Sequence, residues 1–490
     1  MLNALLPDLV VVAGLFLCLG ADYILLRGRD VAERHRLISR IASWTLICGL
    51  LAGLLGSRDP QLLQLQIGDG QLVITPVRLL FKLTAFLLAL VVVELIPTRP
   101  ATSGHVSEQY ALLLLSALGV GFLATSHHLL VSFVALELLS LCLYALTALD
   151  MGRRAGAEAA LKYFAIGGLS SAFLLVGISY LYGVTGQLNL GKVSAYIHTL
   201  QHLPPLLGVA FLFLLVGVGF KLAIVPFHLW APDVYQNAPT AVAAWIATGS
   251  KLGSTVLLLG LMLPGFDAPN AYSPVSRLLS SGLAVLALIS MLVGNLGAMR
   301  QGNLKRLLAY GGVASAGYLL VGMVAFSDAS RVAVLFYVLT YALASMGAFA
   351  VVALVSDQLG RDAEIDDFRG CWKSMPGIAA LFLIFVLSLA SIPPLSGFIG
   401  KFGLFFAALQ PPPVPEEGFG GWSWLVAVAL IMSVVGLYYY LKVLRAFLVT
   451  GEPALPPVRV GTNAWVVLVM LAVLVVALGL WPEPLLEWLR

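Results

Sequence analysis

The stretch from Gly217 to Thr240, GVGFKLAIVPFHLWAPDVYQNAPT, decides the fold of this chain. It places Lys221 in the middle of a hydrophobic run and Pro226 five residues later. A lysine at membrane depth is costly to desolvate, and a proline there removes a backbone hydrogen bond. Both are therefore expected only where protein or water compensates. The pattern predicts a discontinuous transmembrane helix that carries a titratable lysine.

The composition around this stretch is that of a membrane protein. Of the 490 residues, 60% are hydrophobic and 11% are charged, and the mean hydropathy is +0.97. These values exclude a soluble globular domain of this length. The net charge of +4 forms no basic tail or patch, so no nucleic-acid partner is expected. The spacing of the four cysteines and the absence of nucleotide-binding motifs predict no cofactor and no metal in this chain.

Fourteen apolar segments are long enough to cross a bilayer, which requires about 20 mainly apolar residues per helix. They lie at 7–27, 38–57, 76–97, 106–124, 128–149, 159–183, 204–225, 240–263, 275–298, 304–326, 330–356, 376–409, 421–449 and 462–482. The predicted fold class is an all-α polytopic membrane protein with about 14 transmembrane helices.

Basic residues in alternate loops predict the orientation of these helices. One set of loops contains Arg27, Arg29, Arg34, Arg36, Arg40, Arg99, Arg153, Arg154, Arg300, Lys305, Arg306, Arg361, Arg369, Lys373 and Arg459. The other set contains little beyond Arg58, Lys192, Arg277 and Arg331. The first set is expected to face the cytoplasm, with both termini on the non-cytoplasmic side. The predicted location is a bacterial plasma (inner) membrane, with an organelle inner membrane as the alternative.

Two proline-interrupted segments indicate an internal repeat. The seventh segment contains Lys221 and Pro226, and the twelfth contains Pro393, Pro394 and Lys401. An odd number of segments separates equivalent positions, so the two halves have opposite orientations, a pattern typical of transporter sites near the midplane. The predicted organisation is a single membrane domain. Flanking helices 1–3 lie in 1–105, a first inverted five-helix repeat (helices 4–8) in 106–263, a second inverted repeat (helices 9–13) in 275–449 and helix 14 in 462–490. Helices 7 and 12 are predicted to be discontinuous.

Ionisable groups far from the segment ends are the candidates for proton transfer, because buried charges in membranes are costly and usually functional. They are Glu137, Lys221, Lys251 and Lys401, with Lys162, His228, Ser315 and Tyr318 as accessory candidates. Glu137 shares a helical face with Tyr144 and is either a structural carboxylate or a partner of Lys221. In the second case, a change in their separation would load or release a proton.

The other candidates also have two interpretations each. Lys251 lies within a stripe of threonine and serine hydroxyls that can hold water, or else its ammonium reaches the interface. Lys401 follows the interruption of its helix, or else lies near a helix end. His228 either transfers protons between the cytoplasmic side and Lys221 or packs as a hydrogen-bonded side chain. Lys162 lies near a segment start, where an interfacial anchor is also expected.

Several long motifs resemble the antiporter-like membrane subunits of respiratory complex I, NADH:quinone oxidoreductase. They are KYFAIGGLSSAFLLVGISYLYGVTG at 162–186, FKLAIVPFHLWAPDVYQNAPT at 220–240, GNLKRLLAYGGVASAGYLL at 302–320 and SLASIPPLSGFIGKF at 388–402. The sequences of these motifs are most similar to those of subunit N, called subunit 2 in mitochondria. The resemblance implies a fourteen-helix fold with inverted repeats and proton-path roles for Glu137, Lys221, Lys251 and Lys401, with Lys162 accessory. Relatives often have histidine where Ser315 stands, and this serine is expected to hold a water instead.

The function implied is that of a proton-translocating membrane-arm subunit, part of a translocase. Protons would enter near His228 and Lys221, cross by Lys251 and leave past Lys401. FMN, iron–sulfur clusters, NADH and quinone would belong to partner subunits, and the partners would be other membrane and peripheral subunits of complex I, neighbouring antiporter-like subunits and the lipid bilayer. Two alternatives remain: a subunit of a multi-subunit cation/proton antiporter or membrane-bound hydrogenase, and a structural membrane-arm subunit without its own channel.

Overall fold

A computed structural model describes residues 2–59, 62–96, 105–149, 154–200, 202–267, 274–410, 421–448 and 460–490. Three basic loop residues used to predict the orientation, Arg99, Arg153 and Arg459, lie outside these ranges. The described chain is almost entirely helical. Its one sheet is a short antiparallel hairpin, β1 at Gln66–Ile67 and β2 at Leu72–Val73.

Twenty-one α-helices follow one another along the described residues. In chain order they are α1 Leu2–Gly20, α2 Val31–Gly56, α3 Pro76–Leu95, α4 Val106–Thr125, α5 Leu129–Ala148, α6 Arg154–Thr185, α7 Leu190–Thr199, α8 Pro205–Leu222, α9 Trp230–Asn237, α10 Thr240–Trp245, α11 Lys251–Leu261, α12 Leu263–Phe266, α13 Pro274–Met299, α14 Leu304–Met323, α15 Asp328–Leu359, α16 Cys371–Ser374, α17 Pro376–Leu389, α18 Ser396–Leu409, α19 Ser423–Leu448, α20 Thr462–Leu480 and α21 Glu483–Leu489. π-Helical segments at Ala21–Leu25 and Ile246–Ser250 extend α1 and join α10 to α11.

Twelve helices in the described residues are long and apolar enough to cross a membrane, so the all-α polytopic fold class is confirmed. Helix α14 is not among them, although its 20 residues span about 30 Å at 1.5 Å per residue. Helices α17 and α18 are shorter, with 14 residues each, and follow one another across a break. The total of fourteen spans stays a prediction that depends on counting α14 and the α17–α18 pair.

Both predicted interruptions are present as breaks between helices. Helix α8 ends at Leu222, where Ala223 has a left-handed φ of 56°, and helix α9 begins only at Trp230. Helix α17 ends at Leu389, and Ser391, in the segment before α18, has a φ of 61°. Each break contains a proline. Proline lacks the N–H group that a continuous helix needs, which explains why the helix is interrupted there. The inverted relation between the two halves stays a prediction.

Side chains satisfy backbone groups that the breaks release. Ser290 of α13 accepts a hydrogen bond from the backbone N–H of Val225 at 3.0 Å. In the second break, the Oγ of Ser388 accepts from the backbone N–H of Gly397 at 3.1 Å. Since unsatisfied backbone groups are costly in a membrane, these contacts explain how non-helical backbone persists among the helices.

Helix α15 lies at the centre of the molecule. Its most apolar 18-residue portion is wholly buried. The helix packs against α10, α14, α17, α18 and α20. In the segment Thr240–Leu261, which runs from α10 into α11, 94% of the apolar portion is buried. A helix that is apolar on all sides belongs in the interior of a helix assembly. Helix α15 belongs to the second predicted half and contacts α10 and α11 of the first.

Candidate functional site

Lys221 lies in the last turn of α8, directly before the first break. Its ammonium donates a hydrogen bond to the hydroxyl of Tyr144 at 3.4 Å. The same nitrogen lies 4.9 Å from the ring centroid of Tyr144, 5.1 Å from that of Tyr163 and 5.3 Å from that of Phe220. Aromatic faces attract cations, and more strongly where water is excluded. These three rings therefore provide the electrostatic stabilisation of a lysine that is only 3% exposed.

Glu137 lies half-buried on α5 and accepts a hydrogen bond from the hydroxyl of Ser171 on α6. Both residues are described, yet the Glu137 carboxylate and the Lys221 ammonium form no ion pair within 4.0 Å. Tyr144, on the Glu137 face of α5, makes the direct contact with Lys221 instead. The predicted pairing of Glu137 with Lys221 stays a prediction.

Lys251 begins α11 directly after a π-helical segment, a type of irregularity that is frequent at functional sites. Its ammonium donates hydrogen bonds to the carbonyl of Gly312 and to the hydroxyl of Ser315 at 3.1 Å, both on α14. It also lies 4.8 Å from the ring centroid of Tyr341 on α15. Ser315, an accessory candidate, is thus beside Lys251.

The hydroxyl stripe predicted to hold water beside Lys251 stays a prediction, and two of its hydroxyls form hydrogen bonds within their own helix. Thr248 donates a hydrogen bond to the carbonyl of Ala244, and Thr255 donates to the carbonyl of Lys251, each at 2.8 Å. These hydroxyls satisfy carbonyl groups of their own helix, as serine and threonine commonly do in apolar helices. The ammonium instead reaches the neighbouring helix, because its long side chain extends beyond the surface of α11.

Lys401 lies in α18, after the second break, and is 7% exposed. Its ammonium donates a hydrogen bond to the hydroxyl of Ser433 at 3.2 Å and lies 4.4 Å from the ring centroid of Tyr318. The Tyr318 hydroxyl accepts a hydrogen bond from the side-chain amide of Asn295 at 3.0 Å. The Tyr439 hydroxyl donates to the amide oxygen of the same Asn295 at 3.4 Å. Tyr318, another accessory candidate, therefore connects Lys401 to a buried polar network.

A small cavity adjoins Lys401 and has a volume of about 20 Å³. It is lined by Tyr337, Thr340, Tyr341, Ala344, Ser388, Leu389, Ser391, Gly397 and Lys401. A cavity of about 10–15 Å³ in this measure already accommodates one water molecule, provided that polar partners are present. Tyr341 lines this cavity and also contacts Lys251, so it connects the surroundings of the two lysines.

The buried lysines of the described chain fall into two groups. Lys82 pairs with Asp8 at 2.6 Å, and Lys305 pairs with Asp362 at 2.7 Å. Three other buried lysines have no carboxylate within 4.0 Å among the described residues and contact aromatic rings and hydroxyls instead: Lys221, Lys251 and Lys401. A buried ammonium without a counter-ion is costly to keep charged. The three lysines without a carboxylate partner are also the three that the sequence placed far from the segment ends.

Two accessory candidates form no hydrogen bond with Lys221, Lys251 or Lys401 in the described chain. Lys162 is 46% exposed and forms ion pairs with Glu158 at 2.8 Å and with Asp233 at 3.5 Å. His228 is buried in the segment between α8 and α9, and its Nδ1 has no hydrogen-bond partner in the described chain. It is not among the groups that hydrogen-bond Lys221. Their predicted accessory roles stay predictions.

Sequence reasoning missed several residues that complete these surroundings. They are Tyr163, Ser171, Asn295, Ser433 and Tyr439. A polar side chain in the middle of an apolar segment was the available signal, since such groups need a hydrogen-bond partner in a membrane. That signal does not give the partner, because the partner lies on another helix.

The described residues contain no group of three or more histidine, cysteine, aspartate or glutamate side chains that could hold a metal ion. The four cysteines are all free, and Cys18, Cys142 and Cys371 are buried. The side chains that surround the three unpaired lysines include tyrosine and serine hydroxyls, which both donate and accept hydrogen bonds.

Comparisons with known proteins give the family. The family model for "NADH:quinone oxidoreductase/Mrp antiporter, TM" matches residues 126–414, a range that includes Glu137, Lys221, Lys251 and Lys401. The chain is 41% identical to NADH-quinone oxidoreductase subunit N 2 of Acidobacterium capsulatum, over 100% of its own length and 98% of the relative's. The chain belongs to the subunit N family.

Solved structures agree with the membership in the subunit N family. A chain of respiratory complex I from Thermus thermophilus with bound aureothin is 34% identical, with a TM-score of 0.78 and 98% of each chain covered. A chain of the Mrp complex from Dietzia sp. is 23% identical, with a TM-score of 0.81, covering 100% of this chain and 96% of that one. The second likeness shows a shared fold alone. The resemblance stated from the motifs is therefore confirmed.

Proposed function

We propose that this subunit N family member is a proton-translocating membrane-arm subunit of an NADH:quinone oxidoreductase, with one proton path through Glu137, Lys221, Lys251 and Lys401. The observation that carries the proposal is the set of three buried lysines without a carboxylate partner. A charge without a counter-ion is the expected feature of a group that gains and loses a proton, because a permanent buried charge is normally paired.

The first part of the path is the neighbourhood of Lys221. A proton from the predicted cytoplasmic side reaches this lysine near His228 and the break after α8. The faces of Tyr144 and Tyr163 favour the charged ammonium, and in this proposal Glu137 would favour it further when the two groups approach each other. A movement of α5 relative to α8 would change that balance. Lys221 would then load or release its proton.

The second part connects Lys251 to Lys401. Tyr341 contacts Lys251 and lines the cavity of about 20 Å³ beside Lys401. A single water in that cavity would have the Tyr341 and Thr340 hydroxyls within its lining and would complete the connection. Ser315, hydrogen-bonded to Lys251, orients the ammonium at the start of this segment.

The driving force has to come from outside this chain. Moving one charge against about 100 mV requires about 2.3 kcal/mol, which a passive membrane channel does not supply. The proposal therefore places electron transfer from NADH to quinone, with FMN and iron–sulfur clusters, in partner subunits. This chain would provide the proton path, and neighbouring antiporter-like subunits would provide others.

The experiment that tests the proposal replaces Lys401 by methionine in the intact membrane complex. Methionine keeps an apolar side chain of similar length while it removes the proton-binding nitrogen. The control is Lys192→Met, on an exposed lysine of α7 outside the proposed path. Assembly is checked first, and then NADH:quinone turnover and proton pumping are measured together in sealed vesicles.

The expected result for Lys401→Met is an assembled complex in which turnover and pumping both fall, while Lys192→Met retains most of both. Pumping per electron at the original value and the original turnover would contradict a path through Lys401. Loss of the assembled complex would instead support the structural alternative, in which the buried charges only hold the membrane arm together.

A further inference from the structure

Asn295 is a wholly buried amide on α13, a helix that contributes no lysine to the proposed proton path. Burial of an amide is costly unless its N–H and C=O groups find hydrogen-bond partners. Its Nδ2 donates to the backbone carbonyl of Met291 at 2.8 Å and to the hydroxyl of Tyr318 at 3.0 Å. Its Oδ1 accepts from the hydroxyl of Tyr439 at 3.4 Å. This one side chain therefore joins α13 to α14 and α19.

The contact with Met291 fixes the orientation of the amide. A backbone carbonyl only accepts hydrogen bonds, so the amide atom that faces it is the nitrogen. The other hydrogen of that nitrogen points to the oxygen of Tyr318, which is the acceptor. Asn295 thus holds the phenol ring of Tyr318 at its hydroxyl end, and α13 supplies the fixed point.

The ring held in this way has its face near Lys401. The Lys401 Nζ lies 4.4 Å from the ring centroid of Tyr318, within the range of about 6 Å over which aromatic faces attract cations. Phe405 packs edge-on against the same ring, with the two centroids 6.0 Å apart. Because Tyr318 and Lys401 are both buried, water does not weaken the attraction between ring and ammonium.

The charge of Lys401 depends on this ring because no carboxylate oxygen in the described chain lies within 4.0 Å of its ammonium. Helices α14, α15, α17, α19 and α20 pack against α18. The ionisable groups on them that lie beside Lys401 are Tyr318, Tyr337 and Tyr341. Helices α17 and α20 contain no ionisable side chain. The other ionisable groups of α14, α15 and α19 lie more than one turn along their helices from the residues around Lys401: Lys305, Arg306, Tyr310, Asp328, Arg331, Asp357, Tyr438, Tyr439, Tyr440, Lys442 and Arg445.

Helix α19 contacts both the lysine and the amide. Ser433 accepts a hydrogen bond from Lys401 at 3.2 Å, and Tyr439 donates to Asn295. Gly436 lies between these two positions, and a Cβ atom there would lie 3.2 Å from the Oδ1 of Asn295. The absence of a side chain at Gly436 therefore lets α19 approach the amide closely.

We propose that Asn295 is a positioning residue for Lys401 and acts through Tyr318. The amide holds the phenol ring against the ammonium, and the ring stabilises the proton that Lys401 carries in transit. The inference rests on the proposed function, because it requires that Lys401 gains and loses a proton. Asn295 itself transfers no proton, since both hydrogens of its Nδ2 are donated to Met291 and Tyr318.

Loss of the amide is expected to move the ring. A buried hydroxyl without a partner is costly, so Tyr318 would turn towards another polar group and its face would leave Lys401. The proton affinity of Lys401 would then fall about tenfold, which corresponds to about 1 pH unit, because the desolvated ammonium loses its aromatic partner. Pumping that needs a protonated Lys401 would be lost at a lower pH.

The test measures proton pumping and NADH:quinone turnover against pH in the assembled complex. The variants are Asn295→Leu, Tyr318→Phe and the two substitutions together. Each single variant is expected to lower, by about 1 pH unit, the alkaline pH at which pumping falls to half. The double variant is expected to show no larger shift than the single variants, because both substitutions break the same contact.

Two comparisons make the result specific. Tyr110→Phe is the matched control: it removes a buried tyrosine hydroxyl that contacts His35 at 3.3 Å, outside the proposed path, and is expected to keep the original pH profile. Cryo-electron microscopy of the Asn295→Leu complex is expected to show the Tyr318 ring displaced from Lys401. This second readout does not depend on pumping.

Several outcomes would overturn the inference. Asn295→Leu with an unmoved ring, or with activity lowered equally at every pH, would make Asn295 a packing residue only. Shifts that add in the double variant would show that Asn295 does not act through Tyr318. If Asn295→Leu does not assemble, an unchanged pH profile in Tyr318→Phe overturns the inference instead.

The Lys401→Met complex separates this inference from the proposed function. If Lys401→Met loses pumping while Asn295→Leu keeps the original pH profile, the inference fails and the proposed function stands. If Lys401→Met keeps its pumping and turnover, the proposed function fails first, and the role of Asn295 fails with it.

Discussion

The buried ion pair between Asp8 and Lys82 allows a quantitative prediction about stability. The Nζ of Lys82 lies 2.6 Å from the Oδ2 of Asp8, and the two side chains are only 2% and 4% exposed. The pair joins α1 to α3, and Gly121 of α4 packs against it: a Cβ atom at that glycine would lie 3.3 Å from the Cγ of Lys82. Because water is excluded on all sides, each charge depends on the other.

Removal of one partner leaves the other charge buried without compensation. Such losses cost about 3–5 kcal/mol, whereas replacement of both partners by groups of similar volume is nearly neutral or even stabilising. We therefore expect Lys82→Met alone and Asp8→Asn alone each to destabilise the chain by about 3–5 kcal/mol. The double variant is expected to be more stable than either single variant.

The measurement is the thermal midpoint of unfolding in the purified complex. It is the temperature at which a protease begins to cleave α1 to α3 in half of the molecules. The control is Glu33→Gln, which breaks the exposed ion pair with Arg29 and is expected to change stability by about 1 kcal/mol or less. Single variants with the midpoint of the unmodified protein would refute the reasoning. A double variant as unstable as the sum of the singles would also refute it, because the two charges would then act independently.

Three further predictions concern the site and its surroundings. Gly397→Ala should displace α18 and weaken assembly, since an added Cβ would overlap the carbonyl oxygen of Ser388; the amount of assembled complex on native gels measures this, and unchanged assembly would contradict the close packing. Tyr341→Phe keeps the ring beside Lys251 but removes its hydroxyl, so we expect pumping in sealed vesicles to slow about tenfold with assembly intact; a normal rate would exclude that hydroxyl from the path. Burial lowers the pKa of His127 to about 4, while the unfolded chain takes up this proton near pH 6.5, so native stability should fall as the pH falls from about 6.5 towards 4. His127→Gln should flatten that dependence of the thermal midpoint, and an unchanged slope would assign it to other groups.

The sequence was sufficient for the fold class and for the positions of the breaks. A proline in an apolar segment prevents a continuous helix, and that constraint is local. The predicted ends of the helices were less accurate. Helix α6 begins at Arg154 rather than at 159, because polar residues such as Glu158 and Lys162 continue the helix beyond the apolar segment with an ion pair four residues apart. Helix α8 ends at Leu222, three residues before the predicted end of its segment.

The contacts of the candidate site depend on how helices pack, which a single sequence does not specify. Lys221 and Tyr144 are 77 residues apart in sequence, and Lys251 and Ser315 are 64 apart. Which faces of two helices meet is set by their crossing geometry and by the side chains at the contact. For this reason the sequence predicted a hydroxyl stripe around Lys251 that can hold water, but it did not predict that the ammonium contacts Gly312 and Ser315 of α14. The three buried lysines themselves were found because an ammonium within an apolar segment is rare.

The most direct test of the proton path is the ratio of protons pumped to electrons transferred in assembled complexes with Lys221→Ala. This substitution removes the ammonium held by Tyr144, Tyr163 and Phe220 without removing a carboxylate partner. We predict that pumping and NADH:quinone turnover fall together while assembly stays intact. Pumping per electron at the original value and with the original turnover would contradict a coupled path through this chain, and Lys221 would then be a structural charge.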